Sequence, residues 1–186
     1  GEAREAAVLR DEGRVGRGGR GCTGGGRGNR LAAARTRAAS AWNPDADQQV
    51  RAEIRAFRPD VLHAQNFWCA LSPSVFGAAR GAGVPSVLTL NNYRLLCPGA
   101  YLMRGGQVCE ACVGTTPWRA VAHACYRGSR AQSALVARMI MKNRRLGTWA
   151  NMVAAYIANT AGARRRFITG GLPAGKVHIK ATFRPE

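Results

Sequence analysis

Three short apolar runs in this sequence are each followed by side chains suited to recognising hydroxyl, phosphate or carboxylate groups. Amides and hydroxyls pair with sugar hydroxyls, and the arginine guanidinium forms a fork that matches a phosphate or a carboxylate. The candidates are His63, Gln65 and Asn66 after the first run, Asn91, Asn92, Tyr93 and Arg94 after the second, and Asn159 and Thr160 after the third. Each of these residues, taken alone, could instead cap a helix or form a hydrogen bond with the backbone of a turn. The prediction of a binding site therefore depends on the three groups together.

Four cysteines form a second candidate constellation. Cys97, Cys109, Cys112 and Cys125 contain one C-x-x-C pair with an outlying cysteine on each side, which can close a tetrahedral thiolate site for structural zinc. Four protein ligands leave no open coordination position, so such a zinc would hold a loop together without doing chemistry. Disulfides in an oxidising compartment and buried free thiols are the alternatives, and the sequence leaves them open.

The elements that must position these side chains alternate in the way that is typical of a parallel α/β sheet. Cap signals, prolines and apolar periodicity predict helices over 43–57, 72–81, 129–145 and 160–170, and strands over 61–64, 86–90, 155–158 and 177–180. The carboxyl ends of parallel strands meet at one edge of a sheet, where ligands gather. The three polar groups are therefore expected to share one site.

The net charge of +18 predicts attraction to an anionic partner. The basic helix at 129–145 fits an interfacial helix on an anionic membrane surface, and an ordinary helix with a solvated charged face is the equal alternative. The sequence contains no apolar run long enough to span a bilayer and no signal-peptide pattern at its start. These features predict a cytoplasmic protein that associates peripherally with the inner face of the membrane.

Residues 1–40 contain ten Gly and nine Arg with few large apolar side chains. Such a composition cannot offset the entropy of ordering a core, so it predicts a disordered tail. An Arg/Gly-rich nucleic-acid-binding tail and a non-native segment are the alternatives. The folded domain is expected over residues 41–186.

Several segments, taken in order, resemble the N-terminal half of a family 4 glycosyltransferase of the GT-B architecture. The matching segments are 58–63, 71–75, 92–98, the Cys109/Cys112 pair, 126–129, 146–149 and 167–173. The resemblance implies a Rossmann-like parallel sheet with flanking helices, one half of a GT-B fold, with a cysteine-rich excursion (residues 97–125). It also implies transfer of a sugar from a nucleotide-diphosphate sugar to a glycan or lipid-linked acceptor.

The resemblance further implies an acceptor-binding half, truncated before the domain that holds most of the nucleotide sugar and inactive alone. The acceptor-binding residues expected from it are His63, Asn66, Asn91, Asn92, Tyr93, Arg94 and Thr160. Family members commonly have histidine where Asn91 and Gln65 stand, and an amide cannot transfer a proton, so no catalytic residue is assigned. The competing interpretation is a basic, zinc-stabilised protein that binds nucleic acid. If the protein is a glycosyltransferase, we expect no specific nucleic-acid partner.

Overall fold

The computed structural model of this chain describes residues 7–9, 40–68 and 71–181. Its centre is a parallel sheet in the order β1-β2-β3-β6-β7, with a separate antiparallel pair β4-β5. The strands are β1 (Ala7–Leu9), β2 (Leu62–Ala64), β3 (Ser86–Thr89), β4 (Met103–Arg104), β5 (Gln107–Val108), β6 (Ala155–Ala158) and β7 (Val177–Ile179). The α-helices are α1 (Pro44–Phe57), α2 (Ser74–Gly81), α3 (Arg119–Ala122), α4 (Arg130–Arg145) and α5 (Ala161–Thr169), with short π and 3-10 turns at Thr148–Met152 and Ala174–Lys176. This architecture confirms the predicted Rossmann-like α/β class.

Capping side chains set the starts of three helices, as the sequence predicts. Asn43 accepts hydrogen bonds from two backbone N–H groups in the first turn of α1, and Ser129 and Thr160 each accept one for α4 and α5. Helix α2 begins one residue later than predicted, with Pro73 as its N-cap. The reason is that Ser72 adopts a left-handed backbone conformation and its hydroxyl accepts from the N–H of Asn43 at 2.8 Å.

One face of the sheet carries the hydrophobic core. Strands β2, β3 and β6 are in parallel register, so that buried residues stand opposite buried residues and half-buried opposite half-buried. The buried face includes Leu62, Leu88 and Tyr156, which pack with side chains of the helices such as Phe76 and Phe167. The half-buried face includes His63 and Thr89, which places their side chains near solvent at the carboxyl edge.

A buried amide joins α4 to the segment that precedes α1. Asn143 is fully buried, and its Nδ2 donates to the carbonyl oxygens of Ala41 at 3.0 Å and Met139 at 2.9 Å. Its Oδ1 accepts from the hydroxyl of Thr148 at 2.9 Å. Both ends of the amide are thus satisfied, which explains how a polar side chain is accommodated inside the core.

The apolar face of α4 packs into the core. Val136, Met139 and Ile140 have no exposed surface, whereas Arg138 and Arg145 are exposed. An interfacial helix would use its apolar face against lipid, and here that face is already occupied. The helix can therefore meet an anionic surface only through its charged side chains. Among the described residues, no helix is both long enough and apolar enough to cross a bilayer.

Two features differ from what the sequence analysis predicts. The composition of residues 1–40 predicts no strand, yet β1 pairs in parallel with β2, with Ala7 opposite Leu62. This strand is an element that the composition does not predict, because pairing with a neighbouring strand and not the local sequence fixes it. Residues 1–6 and 10–39 lie outside the described residues, so the disorder expected there stays a prediction. The β4-β5 hairpin was also not predicted, although its turn residues Gly105 and Gly106 both have positive φ, as a tight hairpin of two turn residues requires.

Candidate functional site

The polar groups after β2, β3 and β6 lie along one edge of the sheet. Strand β3 lies between β2 and β6, and neighbouring strands are about 4.8 Å apart, so the three strand ends lie within roughly 10 Å. The side-chain amide of Asn91 donates to the carbonyl oxygen of Gln65 at 3.4 Å, which joins the first two loops. His63, Asn91 and Asn159 therefore belong to one edge, which we call the carboxyl edge.

His63 is a neutral imidazole at this edge. Its Nε2 lies 2.7 Å from the hydroxyl oxygen of Thr89 on the adjacent strand. Burial lowers the pKa of His63 below its ordinary value, and the positive charge of Lys180 lowers it further. At neutral pH the ring is therefore mainly uncharged, and in that form one nitrogen is able to donate and the other to accept a hydrogen bond.

Asn92, Tyr93 and Thr160, like His63 and Asn91, make contacts within the protein. The Oδ1 atom of Asn92 accepts from the backbone N–H of Arg94 at 3.0 Å, which forms an Asx turn. The hydroxyl of Thr160 caps α5. The ring of Tyr93 stacks on Phe167, with 5.3 Å between the ring centres and 26° between their planes. In the described structure these contacts shape the loops of the carboxyl edge.

Arg94 holds three segments together. Its Nη1 donates to the carbonyl oxygen of Pro98 at 2.6 Å, and its guanidinium carbon lies 4.8 Å from the ring centre of Tyr126 and 5.8 Å from that of Trp68. The indole N–H of Trp68 donates to the hydroxyl of Tyr126 at 3.1 Å. Burial lowers the pKa of Arg94, while the nearby Tyr126 opposes that effect. We call Trp68, Arg94 and Tyr126 the arginine clamp.

A few polar groups at or beside the carboxyl edge remain directed to solvent or have no partner. Asn66 and Asn91 are exposed. The Oδ1 atom of Asn159 is buried and has no hydrogen-bond partner within the described part of the chain. Arg127 is exposed, and its guanidinium carbon lies 5.3 Å from the ring centre of Tyr126. The sequence analysis did not select Arg127 as a site residue, although it lies in the 126–129 segment of the family resemblance.

The four predicted zinc ligands lie near one another as free thiols. Cys97 and Cys112 are buried, and Cys109 and Cys125 are partly buried. Burial raises the pKa of Cys112, and the other three thiols raise it further. Among the described residues, no three His, Cys, Asp or Glu side chains are placed so that they could hold a metal ion. The residue types suit zinc but their arrangement does not form the site, so structural zinc stays a prediction.

Comparison with known protein families matches this chain to the glycosyl transferase 4-like domain over residues 3–181. The match covers nearly the whole chain, so this chain belongs to the glycosyl transferase 4-like domain family. Neither the curated proteins nor the solved structures gave a match. The result confirms the resemblance to family 4 glycosyltransferases, and it includes most of the segment before residue 40.

Proposed function

We propose that this domain binds the acceptor in a glycosyltransferase that moves a hexose-like sugar from a nucleotide-diphosphate sugar to a glycan or lipid-linked acceptor. The observation that carries the proposal is the carboxyl edge, where His63, Asn91 and Asn159 offer hydrogen-bonding groups at the ends of three adjacent strands. In open parallel sheets, ligands bind at this edge. Membership of a glycosyltransferase family supports the same assignment.

The side chains at this edge are suited to holding an acceptor in position. The amides of Asn66 and Asn91 can orient sugar hydroxyls, and the buried oxygen of Asn159 can accept from one. Arg127 and Lys180 supply positive charge for a phosphate on the acceptor or for the departing diphosphate. Positioning of this kind lowers the barrier of group transfer without a proton-transferring residue at Asn91.

The donor would be held mainly by a second domain. The described residues form one parallel sheet, whereas the GT-B architecture implied by the resemblance uses two. We therefore expect the 186-residue chain to bind an acceptor and to be inactive in sugar transfer by itself.

An exposed apolar hairpin supports a lipid-linked acceptor and a peripheral position on the inner face of the membrane. The exposed fractions of Tyr101, Met103 and Val108, on and beside β4-β5, are 76%, 54% and 73%. Large apolar side chains that are exposed together in this way commonly mark a surface that contacts a partner or a membrane. Arg104 stands in the same hairpin and would meet anionic head groups. The hairpin thus has both components of a shallow membrane contact.

The test is an acceptor-binding measurement on the full 186-residue chain. A defined array of oligosaccharides, both free and conjugated to a lipid diphosphate, would be titrated by calorimetry or by nuclear magnetic resonance. We expect saturable binding of at least one compound, and a loss of affinity of about tenfold in Asn91→Ala and Asn159→Ala, since each variant loses a hydrogen bond to the bound acceptor.

Asn151→Ala is the matched control, because Asn151 is an exposed asparagine that precedes β6, at the opposite edge of the sheet. It should bind within about twofold of the unaltered chain. Equal losses in all three variants, or no saturable binding in the whole array, would refute the assignment. Tight, steeply salt-dependent binding of an RNA or DNA probe, unaffected by these variants, would favour the nucleic-acid-binding alternative instead.

A further inference from the structure

A cavity of about 350 Å³ lies among the ends of α4 and α5 and the turn before β6. Its walls include Leu96 from the segment after β3, Arg144 at the end of α4, Trp149 in the turn before β6, and Thr169 and Gly170 at the end of α5. Helix α5 starts at the end of β6 and runs back along the sheet, so its last residues lie toward the amino ends of the strands. The cavity is therefore a separate place from the proposed acceptor site.

Two buried hydrogen-bond donors belong to residues that line this cavity. Trp149 is 5% exposed, and its Nε1 has no partner within the described residues. Arg144 donates through Nη1 to the carbonyl oxygen of Thr115 at 2.7 Å, whereas its Nη2 is buried and has no partner there either. A buried donor without an acceptor costs roughly 1 to 3 kcal/mol, so two such donors around one cavity indicate a missing acceptor.

The charge of Arg144 narrows the chemistry of that acceptor. Within the described residues, the ion pairs are Arg51 with Asp47 and Arg166 with Glu110, and neither includes Arg144. The hydrogen-bond partner of Arg144 is the neutral carbonyl of Thr115. Burial lowers the pKa of Arg144, and the nearby thiol of Cys112 opposes that effect only in part. An arginine fork with a free N–H and an indole N–H, from two residues that line the same cavity, suit the oxygens of a phosphate or carboxylate group.

We propose that this cavity binds a small molecule carrying a phosphate monoester or carboxylate, whose oxygens accept from Arg144 Nη2 and Trp149 Nε1. The volume is at the lower end of the range for ligand pockets, which suits a body of about the size of a monosaccharide. Thr169 lines the same cavity, and its hydroxyl is of a type that can bind a hydroxyl group of that body. The site is independent of sugar transfer at the carboxyl edge.

The indole N–H signals of the nitrogen-15-labelled chain give a direct readout. The sequence contains four tryptophans, and Trp149→Phe identifies the signal of Trp149 among them. Inorganic phosphate, glucose 6-phosphate and glucose would be titrated separately at constant ionic strength. We expect the two phosphates to shift the Trp149 signal in a saturable way, with the signals of the other three tryptophans unmoved and with no saturable effect of glucose.

Arg144→Met should weaken phosphate binding at least about tenfold, because it removes a charge-assisted hydrogen bond. Arg145→Met is the matched control, since Arg145 is the exposed neighbour on the same helix and should bind within about twofold. Arg144→Lys keeps the positive charge but lacks the two N–H groups of the guanidinium fork, so it should also weaken phosphate binding. This variant tests the site if Arg144→Met does not fold.

Three results would overturn the proposal. The first is a Trp149 signal that does not saturate with either phosphate. The second is equal weakening by Arg145→Met and Arg144→Met, which would show a general effect of charge. The third is binding of glucose as tight as that of glucose 6-phosphate, which would show that an oxyanion is not recognised. None of these results bears on the acceptor proposal, which uses different residues.

Discussion

Replacing Arg94 by methionine tests whether this residue serves the acceptor or holds the fold together. Methionine keeps most of the aliphatic volume and removes the guanidinium. The sequence alone favours Arg94 as a fork for phosphate, whereas the structure engages it with Pro98, Tyr126 and Trp68. If the arginine clamp is its main role, the substitution must lower the free energy of unfolding in the absence of any ligand.

The size of the effect follows from the contacts. The charge-assisted bond to Pro98 is worth about 1.5 to 3 kcal/mol, and each of the two aromatic contacts about 0.5 to 1 kcal/mol. The Nε atom of Arg94 is buried without a partner within the described residues, so its removal returns about 1 kcal/mol. The expected loss is therefore about 1.5 to 4 kcal/mol, or roughly 3 to 16 °C in Tm for a chain of this size.

Urea unfolding followed by tryptophan fluorescence measures this loss directly. Arg127→Met is the matched control, because Arg127 contacts the same Tyr126 ring at 5.3 Å but is exposed, and it should cost less than about 1 kcal/mol. A loss in Arg94→Met that is no larger than in the control would refute the clamp. The role of Arg94 would then have to be sought in ligand binding.

Two further predictions follow from buried groups. Asn143→Leu leaves the Ala41 carbonyl and the Thr148 hydroxyl without their partner, so it should lower the free energy of unfolding by about 2 to 4 kcal/mol, and a urea-measured loss below about 1 kcal/mol would contradict the network. The raised pKa of Cys112 means a smaller thiolate fraction at neutral pH, so iodoacetamide should alkylate it more slowly than an unstructured cysteine peptide at neutral pH, with the rate still rising at alkaline pH. A chelator that accelerates the reaction would show instead that a bound metal protects the thiol, and direct zinc analysis of the purified chain would then follow.

Local signals explain which parts of the fold the sequence could predict. Asn43, Ser129 and Thr160 each satisfy backbone groups within three residues of themselves, so the helix starts can be recognised without knowledge of the rest of the chain. The sequence predicts strand β6 at Ala155–Ala158, as the structure has it, because an apolar run ends there at the polar residues Asn159 and Thr160.

Contacts between distant residues explain what could not be predicted. Strand β1 consists of three residues whose conformation is fixed by pairing with β2, more than fifty positions away. The partners of Arg94 at Trp68 and Tyr126 are likewise remote in sequence, and nothing near Arg94 indicates an aromatic clamp. Residue type and position after a strand predict that these side chains lie at the carboxyl edge, but they do not distinguish a ligand contact from a contact within the protein.

The cysteine-rich excursion begins and ends at the same place, and that place adjoins the carboxyl edge. A side chain at Gly99 would lie 3.7 Å from both the Sγ atom of Cys97 and the Cβ atom of Cys125, which shows how closely the two ends approach. Cys125 precedes Tyr126, the residue on which Arg94 stacks. The thiols and the arginine clamp therefore contact the same part of the chain, where the two ends of the excursion meet. We expect a change in the oxidation or metal-binding state of the thiols to alter the position of the residues that follow β3.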